Sequence, residues 1–307
     1  MYKHLLKMAD LAKDDIFEIF ETAEKLKNYN KNKIEHHLLK NKTLGMIFTK
    51  SSTRTRVSFE VGMHQLGGKG LFLSQNDLQL GRGEPIYDTA KVLSRYLDGI
   101  MIRTYAQQDV EDLAKYGDIP IINGLTDYAH PCQVLADLMT VKEYKINNNK
   151  YKSFDDLKLC FIGDGFNMAN SLLVGGLTVG MNVAIANPEG YEIEKDMKDY
   201  GAKYKNKFLF TNDVKEAAKD ADILVTDVWY SMGQTDINER KEAFKDYKID
   251  NELMKLAKKD AIVLHCLPAH RDEEISSEVF TQNENVIFDE AENRLHAQKA
   301  VMVKLMG

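Results

Sequence analysis

Short apolar runs alternate with stretches of helical periodicity along most of the chain, and this alternation limits the possible folds more than any other feature. Helical spacing of apolar residues is clear over 11–27 and 88–96. The runs that predict buried strands are TLGMIFT (43–49), LFLS (71–74), GIMIR (99–103), IPIIN (119–123), LKLCFIG (157–163), NVAIAN (182–187), DILVTD (222–227) and AIVLHC (261–266). Strands separated by helices are typical of parallel sheets with helices on both faces.

One polar segment interrupts the alternation. Residues 142–156, KEYKINNNKYKSFDD, are rich in lysine and asparagine, and we place a domain boundary at 145–155. A chain of 307 residues that is 44% hydrophobic can form two cores. We expect an α/β fold of two doubly wound domains, each a central parallel sheet flanked by helices, with the active site in the cleft between them. One domain takes 1–145 and the other 150–289, and a C-terminal helix at 290–307 packs back on the first.

Charge and composition exclude several classes of function. The formal net charge of −6 argues against general affinity for nucleic acid or anionic membranes. The N-terminus has no long apolar core and no apolar run reaches 18 residues, so we expect neither a signal peptide nor a membrane span, and a cytoplasmic protein. Cys132, Cys160 and Cys266 are odd in number and lack metal-type spacing, which favours reduced thiols.

Polar residues collect where the predicted strands end. In open parallel sheets, ligands bind beyond the carboxyl ends of the strands. The polar residues at those ends are Ser52 to Arg56, Arg103, Gly163 to Asn167, Asp227 and His265 to Leu267, with His130 close behind another strand end. Each could be an ordinary cap or turn residue, but together they predict a single cleft.

The segment SSTRTRVSFE (51–60) predicts an anion site. A strand ends just before it and a helix follows, so free backbone N–H groups and the positive end of the helix dipole lie beside its hydroxyl residues. Arg54 and Arg56 add charge-assisted donors that suit a phosphate dianion. The alternative is an ordinary N-cap with solvated arginines, which leaves the second arginine and the third hydroxyl unexplained.

Residues 130–133, HPCQ, predict a second part of the site. Pro131 suits a first helical turn, so His130 lies at a helix N-terminus, where the dipole favours a neutral ring able to donate one hydrogen bond to a carbonyl. Gln133, one turn further on, reaches the same side. A purely structural histidine remains the alternative.

Two segments of the second half have competing interpretations. In HCLPAHR (265–271) a cis Leu-Pro bond could turn backbone carbonyls toward a ligand, whereas Cys266 alone is more typical of an inert buried thiol. The segment IGDGFNMAN (162–170) begins like a dinucleotide-binding fingerprint but has Met168 in place of the third glycine. No acidic residue ends the next strand, which disfavours a nicotinamide cofactor.

Six motifs in unbroken order resemble the aspartate/ornithine transcarbamoylase family and, within it, the ornithine enzymes. They are FTKSSTRTRVSFE (48–60), GRGEPIYDTAKVLSRY (81–96), NGLTDYAHPCQVLADLMT (123–140), DVWYSMG (227–233), HCLPAHR (265–271) and AENRLHAQKA (291–300). The S-T-R-T-R and H-P-x-Q motifs are shared with the aspartate enzymes, whereas S-M-G together with H-C-L-P is narrower and indicates ornithine.

The resemblance implies that the domain at 1–145 binds carbamoyl phosphate. The ligands it implies are Ser52, Thr53, Arg54, Thr55, Gln79, Arg103, His130, Gln133, Cys266, Leu267 and Arg294. Of the residues nearest the chemistry, Thr55, Arg103 and His130 would meet the carbonyl oxygen, and Cys266 would position the amine. Family members contribute the residue at Gln79 from a neighbouring subunit, so the resemblance implies a homotrimer with shared sites.

The resemblance also implies that the domain at 150–289 binds L-ornithine, through Asn167, Asp227, Ser231 and Met232. The δ-amine would attack the carbamoyl carbon and phosphate would leave, giving citrulline with no metal or organic cofactor and no nucleic-acid or membrane partner. Phe166 and Asp272 depart from the family pattern, in which a polar residue and a glycine are usual. Two alternatives remain open: a carbamoyltransferase for another amine such as putrescine, and a catalytically silent binding module.

Overall fold

The computed structural model describes residues 3–76, 78–79, 83–148, 150–231 and 233–307. The strands in these ranges are β1 (Thr43–Phe48), β2 (Lys69–Ser74), β3 (Gly99–Arg103), β4 (Ile121–Leu125), β5 (Lys158–Ile162), β6 (Asn182–Ala186), β7 (Phe208–Thr211), β8 (Ile223–Thr226) and β9 (Ile262–His265). The α-helices are α1 (Lys13–Lys31), α2 (Thr53–Gln65), α3 (Ile86–Leu93), α4 (Gln107–Tyr116), α5 (Pro131–Val141), α6 (Asn167–Val179), α7 (Lys195–Ala202), α8 (Val214–Ala218), α9 (Ile237–Phe244), α10 (Asn251–Met254) and α11 (Ser277–Met306).

The chain divides into two compact units. Unit 1 comprises Met1–Leu135 with Arg294–Gly307, and unit 2 comprises Ala136–Asn293. Within the described ranges, every helix is too short or too polar to cross a membrane.

Unit 1 contains a parallel sheet in the order β2-β1-β3-β4. Its central strands are almost entirely buried, because their side chains face helices on both sides. The strand order reverses between β1 and β3, and this is the point at which doubly wound sheets bind ligands. Phe48 and Arg103 end these two strands and pair with each other in the ladder.

Unit 2 contains a second parallel sheet, in the order β7-β6-β5-β8-β9. Here the order reverses between β5 and β8, whose last paired residues are Ile162 and Thr226. Two domains built on parallel sheets flanked by helices are therefore confirmed. The edge strand β7 was not among the predicted strands; its apolar run Phe208–Phe210 is only three residues long, and all four of its residues are only partly buried.

The last helix begins well before the predicted 290–307. Ser277 starts α11 because the Asp272 carboxylate accepts from its backbone N–H at 2.8 Å and its hydroxyl at 2.7 Å. Asp272 has φ of +70°, a conformation that favours glycine, which explains why glycine suits this position. Val279, Phe280 and Ile287 of this early part are buried in the core of unit 2.

Gly165 allows the turn between β5 and α6 to pass close to a neighbouring loop. Its N–H donates to the Tyr191 carbonyl at 2.8 Å. A Cβ at this position would lie 2.2 Å from the backbone of Glu192 and of Ile193. Because both obstacles are backbone, neither can rotate away, and a side chain here would separate the two loops.

Replacing Gly165 by alanine should therefore lower the urea midpoint of unfolding. The free energy of unfolding should fall by about 3 kcal/mol, the cost of overpacking, because the two loops must separate. The matched control is Gly190→Ala, where a Cβ meets nothing within 4 Å but φ is +86°. That control should cost only about 1–2 kcal/mol, the penalty of a left-handed alanine. Equal midpoints for the two variants would contradict the close approach at Gly165.

Candidate active site

The N-terminus of α2 in unit 1 has the geometry of an anion site. Ser52 is its N-cap, and the Ser52 Oγ accepts from the Thr55 N–H at 3.2 Å and donates to Thr55 Oγ1 at 3.1 Å. Thr53 and Arg54 lie exposed in the first turn. The first N–H groups of a helix have no intrahelical partner, so this turn, which follows the carboxyl end of β1, can bind an anion.

The two arginines of this turn have different surroundings. The Arg56 guanidinium stacks on Phe72 at 3.8 Å from the ring centroid, and its Nε lies 3.5 Å from Glu60 Oε2. Arg54 is exposed and has no hydrogen-bond or ion-pair partner among the residues that the structure describes. Arg54 is therefore the arginine available to a bound anion, whereas Arg56 is occupied by its own unit.

Arg103 ends β3 beside this turn. Its carbonyl accepts from the Thr49 N–H at 2.9 Å and from the Thr49 hydroxyl at 3.3 Å. These bonds tie the carboxyl ends of β1 and β3 together at the point where the strand order reverses. The half-buried Arg103 side chain thus starts from the same edge of the sheet as α2.

A buried guanidinium joins three helices through residues that all belong to unit 1. Arg294 of α11 donates to Gln133 Oε1 of α5 at 2.5 Å and to Thr55 Oγ1 of α2 at 3.2 Å. With the Gln298 amide oriented by its hydrogen bonds, the Gln298 oxygen accepts from Arg294 at 3.2 and 3.1 Å and its nitrogen donates to Ser58 Oγ at 2.6 Å. Thr55, Gln133 and Arg294, separated in sequence, therefore share one polar cluster.

His130 lies at the start of α5 and is buried. Its carbonyl accepts from the N–H groups of Gln133 and Val134, which closes the first turn of the helix. Burial, together with the charges of Arg294 and Arg103, holds the pKa of His130 well below its usual value. The ring is therefore neutral at pH 7, as predicted, although burial rather than the helix dipole is the main cause.

In unit 2, Asp227 and Cys266 follow neighbouring strands and contact each other. The Cys266 thiol donates to Asp227 Oδ1 at 3.1 Å, and the Val228 N–H donates to the same oxygen at 2.8 Å. Burial and the Asp227 carboxylate raise the pKa of Cys266 well above its usual value. Cys266 is therefore a protonated thiol, which makes it a poor nucleophile.

Leu267 follows Cys266 and begins the turn after β9. The Leu267–Pro268 bond is cis, as the sequence suggested, and Leu267 has φ of +56°. The Leu267 N–H donates to His265 Nδ1 at 3.0 Å, and His265 Nε2 contacts the buried Glu274 carboxylate at 2.9 Å. The backbone after Cys266 is therefore held by hydrogen bonds to a buried histidine.

The other predicted ornithine residues lie on two loops of unit 2. Asn167 is the first residue of α6 and is buried, and the partly exposed Phe166 precedes it. The Ser231 N–H donates to Gln234 Oε1 at 2.5 Å, and Gly233 has φ of +98°. Met232 lies outside the described residues.

Other parts of the prediction have different outcomes. Gln79 is exposed in the loop after β2, where its carbonyl accepts from the Glu84 N–H. Gln298 was not predicted, although its position one helical turn after Arg294 is a signal in the sequence. Asp272 uses its carboxylate to cap α11, so this departure from the family pattern has a structural purpose.

Among the described residues, two groups of side chains in unit 2 have the ligand types that metal ions prefer. They are Asp227 with His265 and Cys266, and His270 with Glu273 and Glu274, the candidate ligand atoms of each group lying within 4.8 Å of one another. His265 and Glu274, one from each group, are already bonded to each other. The first group contains the protonated Cys266 thiol, which would have to lose its proton to bind a metal.

Comparison with known proteins agrees with this chemistry in both halves of the chain. Residues 3–143 match the family described as aspartate/ornithine carbamoyltransferase, carbamoyl-P binding domain. Residues 155–305 match the corresponding Asp/Orn binding domain.

Individual relatives match over nearly the whole chain. An ornithine carbamoyltransferase of Caldicellulosiruptor saccharolyticus is 53% identical over 306 residues, covering 98% of this chain and 97% of its own. One of Methanosphaera stadtmanae is 54% identical over 305 residues, with 98% of each chain covered. The solved ornithine carbamoyltransferase from Pyrococcus furiosus is similar with a TM-score of 0.93 and 47% identity, covering 100% of this chain and 97% of that one. The chain belongs to the aspartate/ornithine carbamoyltransferase family.

Proposed function

We propose that this protein transfers the carbamoyl group of carbamoyl phosphate to the δ-amine of L-ornithine, giving L-citrulline and phosphate. The observation that carries this proposal is the match, over essentially the full length, to relatives that are named ornithine carbamoyltransferase and are about half identical. The aspartate enzymes belong to the same family, so the family alone does not identify the substrate. The names of these relatives indicate ornithine. None of the residues that the structure describes favours the putrescine alternative.

Carbamoyl phosphate binds to unit 1 in this proposal, within the domain that we place at 1–145 with the helix at 290–307. The first turn of α2, from Ser52 to Thr55, receives the phosphate, and the exposed Arg54 supplies the charge. Arg294 and Gln133 border the same turn through Thr55, so they reach the carbamoyl group beside it.

The carbonyl oxygen of carbamoyl phosphate meets Thr55, Arg103 and His130. A neutral His130 can donate one hydrogen bond to that oxygen, and charge on the oxygen grows as the tetrahedral intermediate forms. A fixed donor of this kind contributes about 3–4 kcal/mol in other acyl transfers. The δ-amine attacks the carbamoyl carbon, the bond to the phosphate oxygen breaks, and the departing phosphate takes the amine proton.

Ornithine binds to unit 2, within the domain that we place at 150–289. The Asp227 carboxylate has no cationic partner among the described residues, so it is available to the α-ammonium group. Asn167, Ser231 and Met232 complete this half of the site and meet the α-carboxylate. Cys266, which donates to Asp227, orients that carboxylate and lies near the amine without acting as a nucleophile.

The assembly and location of the protein are also proposals. A homotrimer in which Gln79 reaches the site of a neighbouring subunit is supported by the exposed position of Gln79 in the loop after β2. A cytoplasmic location is supported by the thiols of Cys132, Cys160 and Cys266. Burial raises the pKa of Cys132 and of Cys160 to about 12, which suits inert core thiols.

The function is tested by offering ornithine, putrescine, lysine and aspartate in parallel with carbamoyl phosphate and measuring the carbamoylated product. Ornithine should be preferred by orders of magnitude in kcat/KM, because putrescine leaves the α-group partners unmet at about 1–3 kcal/mol each. Equal or better turnover of putrescine would replace the proposal with the polyamine reaction. No product from any of the amines would leave only a binding module.

The phosphate site is tested by exchanging its two arginines separately. Arg54→Ala should weaken carbamoyl phosphate binding about tenfold or more, because it removes a charge-assisted bond to the phosphate. Arg56→Ala is the matched control, and it should have a much smaller effect because Phe72 and Glu60 hold that side chain. Isothermal titration calorimetry measures both affinities. A folded Arg54→Ala protein with native affinity would exclude the first turn of α2 as the phosphate site.

The neutral state of His130 is tested by the pH dependence of stability. In the unfolded chain a histidine binds a proton near pH 6.5, whereas the lowered pKa of His130 keeps it unprotonated when folded. The neutral His130 therefore does not lower the free energy of unfolding above pH 6.5. Below that pH, the free energy of unfolding falls by up to about 1.4 kcal/mol per pH unit, because the unfolded chain binds a proton that the folded chain does not. Urea unfolding should show that His130→Gln loses less stability than the native protein between pH 7 and pH 5. Parallel losses in the two proteins would mean that His130 is protonated in the fold.

A further inference from the structure

Arg240 is a buried arginine that none of the predicted site motifs includes. It projects from α9, and its guanidinium binds two loops of unit 2 at once. Its Nη1 donates to Asp164 Oδ2 at 2.6 Å and to the Trp229 carbonyl at 3.1 Å. Its Nε donates to Asp236 Oδ2 at 2.9 Å, and its Cζ lies 4.8 Å from the centroid of the Tyr191 ring. We call this set of contacts the Arg240 clamp.

The Arg240 clamp contacts the turn after β5 and the loop after β8. Each contact lies close in sequence to residues proposed to bind ornithine. Asp164 lies in the turn after β5, three residues before Asn167. Trp229 lies in the loop after β8, midway between Asp227 and Ser231. The guanidinium therefore sets the distance between the two loops that present the ornithine ligands.

Gln234 adds a second connection between the same loops. Its side chain is close enough to the Asp164 carboxylate to lower the pKa of that group. Its Oε1 also accepts from the Ser231 N–H at 2.5 Å. Arg240 and Gln234 thus both act on Asp164, and each also bonds to a different part of the loop after β8.

The clamp also determines which carboxylate remains available. Burial raises the pKa of Asp164 and Arg240 opposes that rise, and the guanidinium forms an ion pair with the Asp164 carboxylate at 2.6 Å. The nearby Asp227 carboxylate contributes to the raised pKa of Asp164. Asp227 receives only a backbone N–H and a thiol among the described groups, which leaves its charge for an ammonium ligand.

We propose that Arg240 is a positioning residue for ornithine, which holds Asn167 in register with Asp227 and Ser231 and forms an ion pair with Asp164. This inference rests on the proposed function. It assigns ornithine affinity to a residue that touches neither substrate. It also separates the two substrates, since every contact of the clamp lies in unit 2 and the carbamoyl phosphate turn lies in unit 1.

The test is Arg240→Lys, which keeps the charge but cannot bond Asp164, Trp229 and Asp236 together, because an ammonium lacks the planar fork of donors. In steady-state assays the KM for ornithine should rise about tenfold or more, the loss expected for one charge-assisted bond. The carbamoyl phosphate affinity measured by calorimetry should not change. An ornithine KM equal to that of the native protein would overturn the proposal, and so would an equal loss of affinity for both substrates.

Two further variants keep the test decisive. Lys241→Arg is the reverse exchange at the next position of α9, where the side chain pairs with Glu273 near the surface, and it should leave the ornithine KM unchanged. If Arg240→Lys does not fold, Gln234→Ala replaces it as the test. The Gln234 side chain is partly exposed, so the core does not depend on it. It should raise the ornithine KM severalfold, and an unchanged KM would refute the inference. If the native protein forms no citrulline, the proposed function fails instead.

Discussion

The hydrogen bonds of the buried Arg294 guanidinium are the interactions on which the geometry of unit 1 depends. A guanidinium removed from water must have its N–H groups satisfied, and here the acceptors come from three helices distant in sequence. Thr55, Gln133 and Gln298 can occupy those positions only if α2, α5 and α11 are packed correctly. The first turn of α2 is thereby oriented before any ligand arrives, which reduces the entropy lost on binding.

The same buried charge also affects the chemistry nearby. Burial, reinforced by the charges of Arg294 and Arg103, lowers the pKa of His130, so the imidazole is a neutral hydrogen-bond donor. In unit 2, burial acts on an acid, and Cys266 stays protonated beside Asp227. Both groups are held in their neutral forms. The proposed reaction fits this arrangement, because it needs donors for a developing oxyanion and no covalent intermediate on the enzyme.

Arg240 repeats in unit 2 the device that Arg294 provides in unit 1. Each is a buried arginine that takes hydrogen-bond acceptors from separate elements and fixes the turn beside a strand end. A buried lysine could not do this as well, because a point charge does not span acceptors in several directions. If each unit is ordered by its own arginine, the two substrate sites can be altered independently.

Much of the fold was predictable from local pattern. The strand GIMIR begins and ends where the sequence predicts, because a short continuous apolar run between polar turns is typical of a buried strand. The edge strand β7 and the early part of α11 were not predicted. The first is only partly buried, and the second, QNENVIFDE, has a polar composition that conceals its contacts with the core of unit 2.

The sequence by itself determined the residue types of the candidate site and the strand ends on which they lie, since both are written in short motifs whose meaning is local. Only the tertiary structure decided which side chains meet. Arg54 and Arg56 have similar sequence surroundings, yet the Arg56 side chain is stacked on Phe72 and the Arg54 side chain is exposed to solvent. The roles of Gln298 and Arg240 depend on contacts across many intervening residues, and no local pattern records such long-range packing.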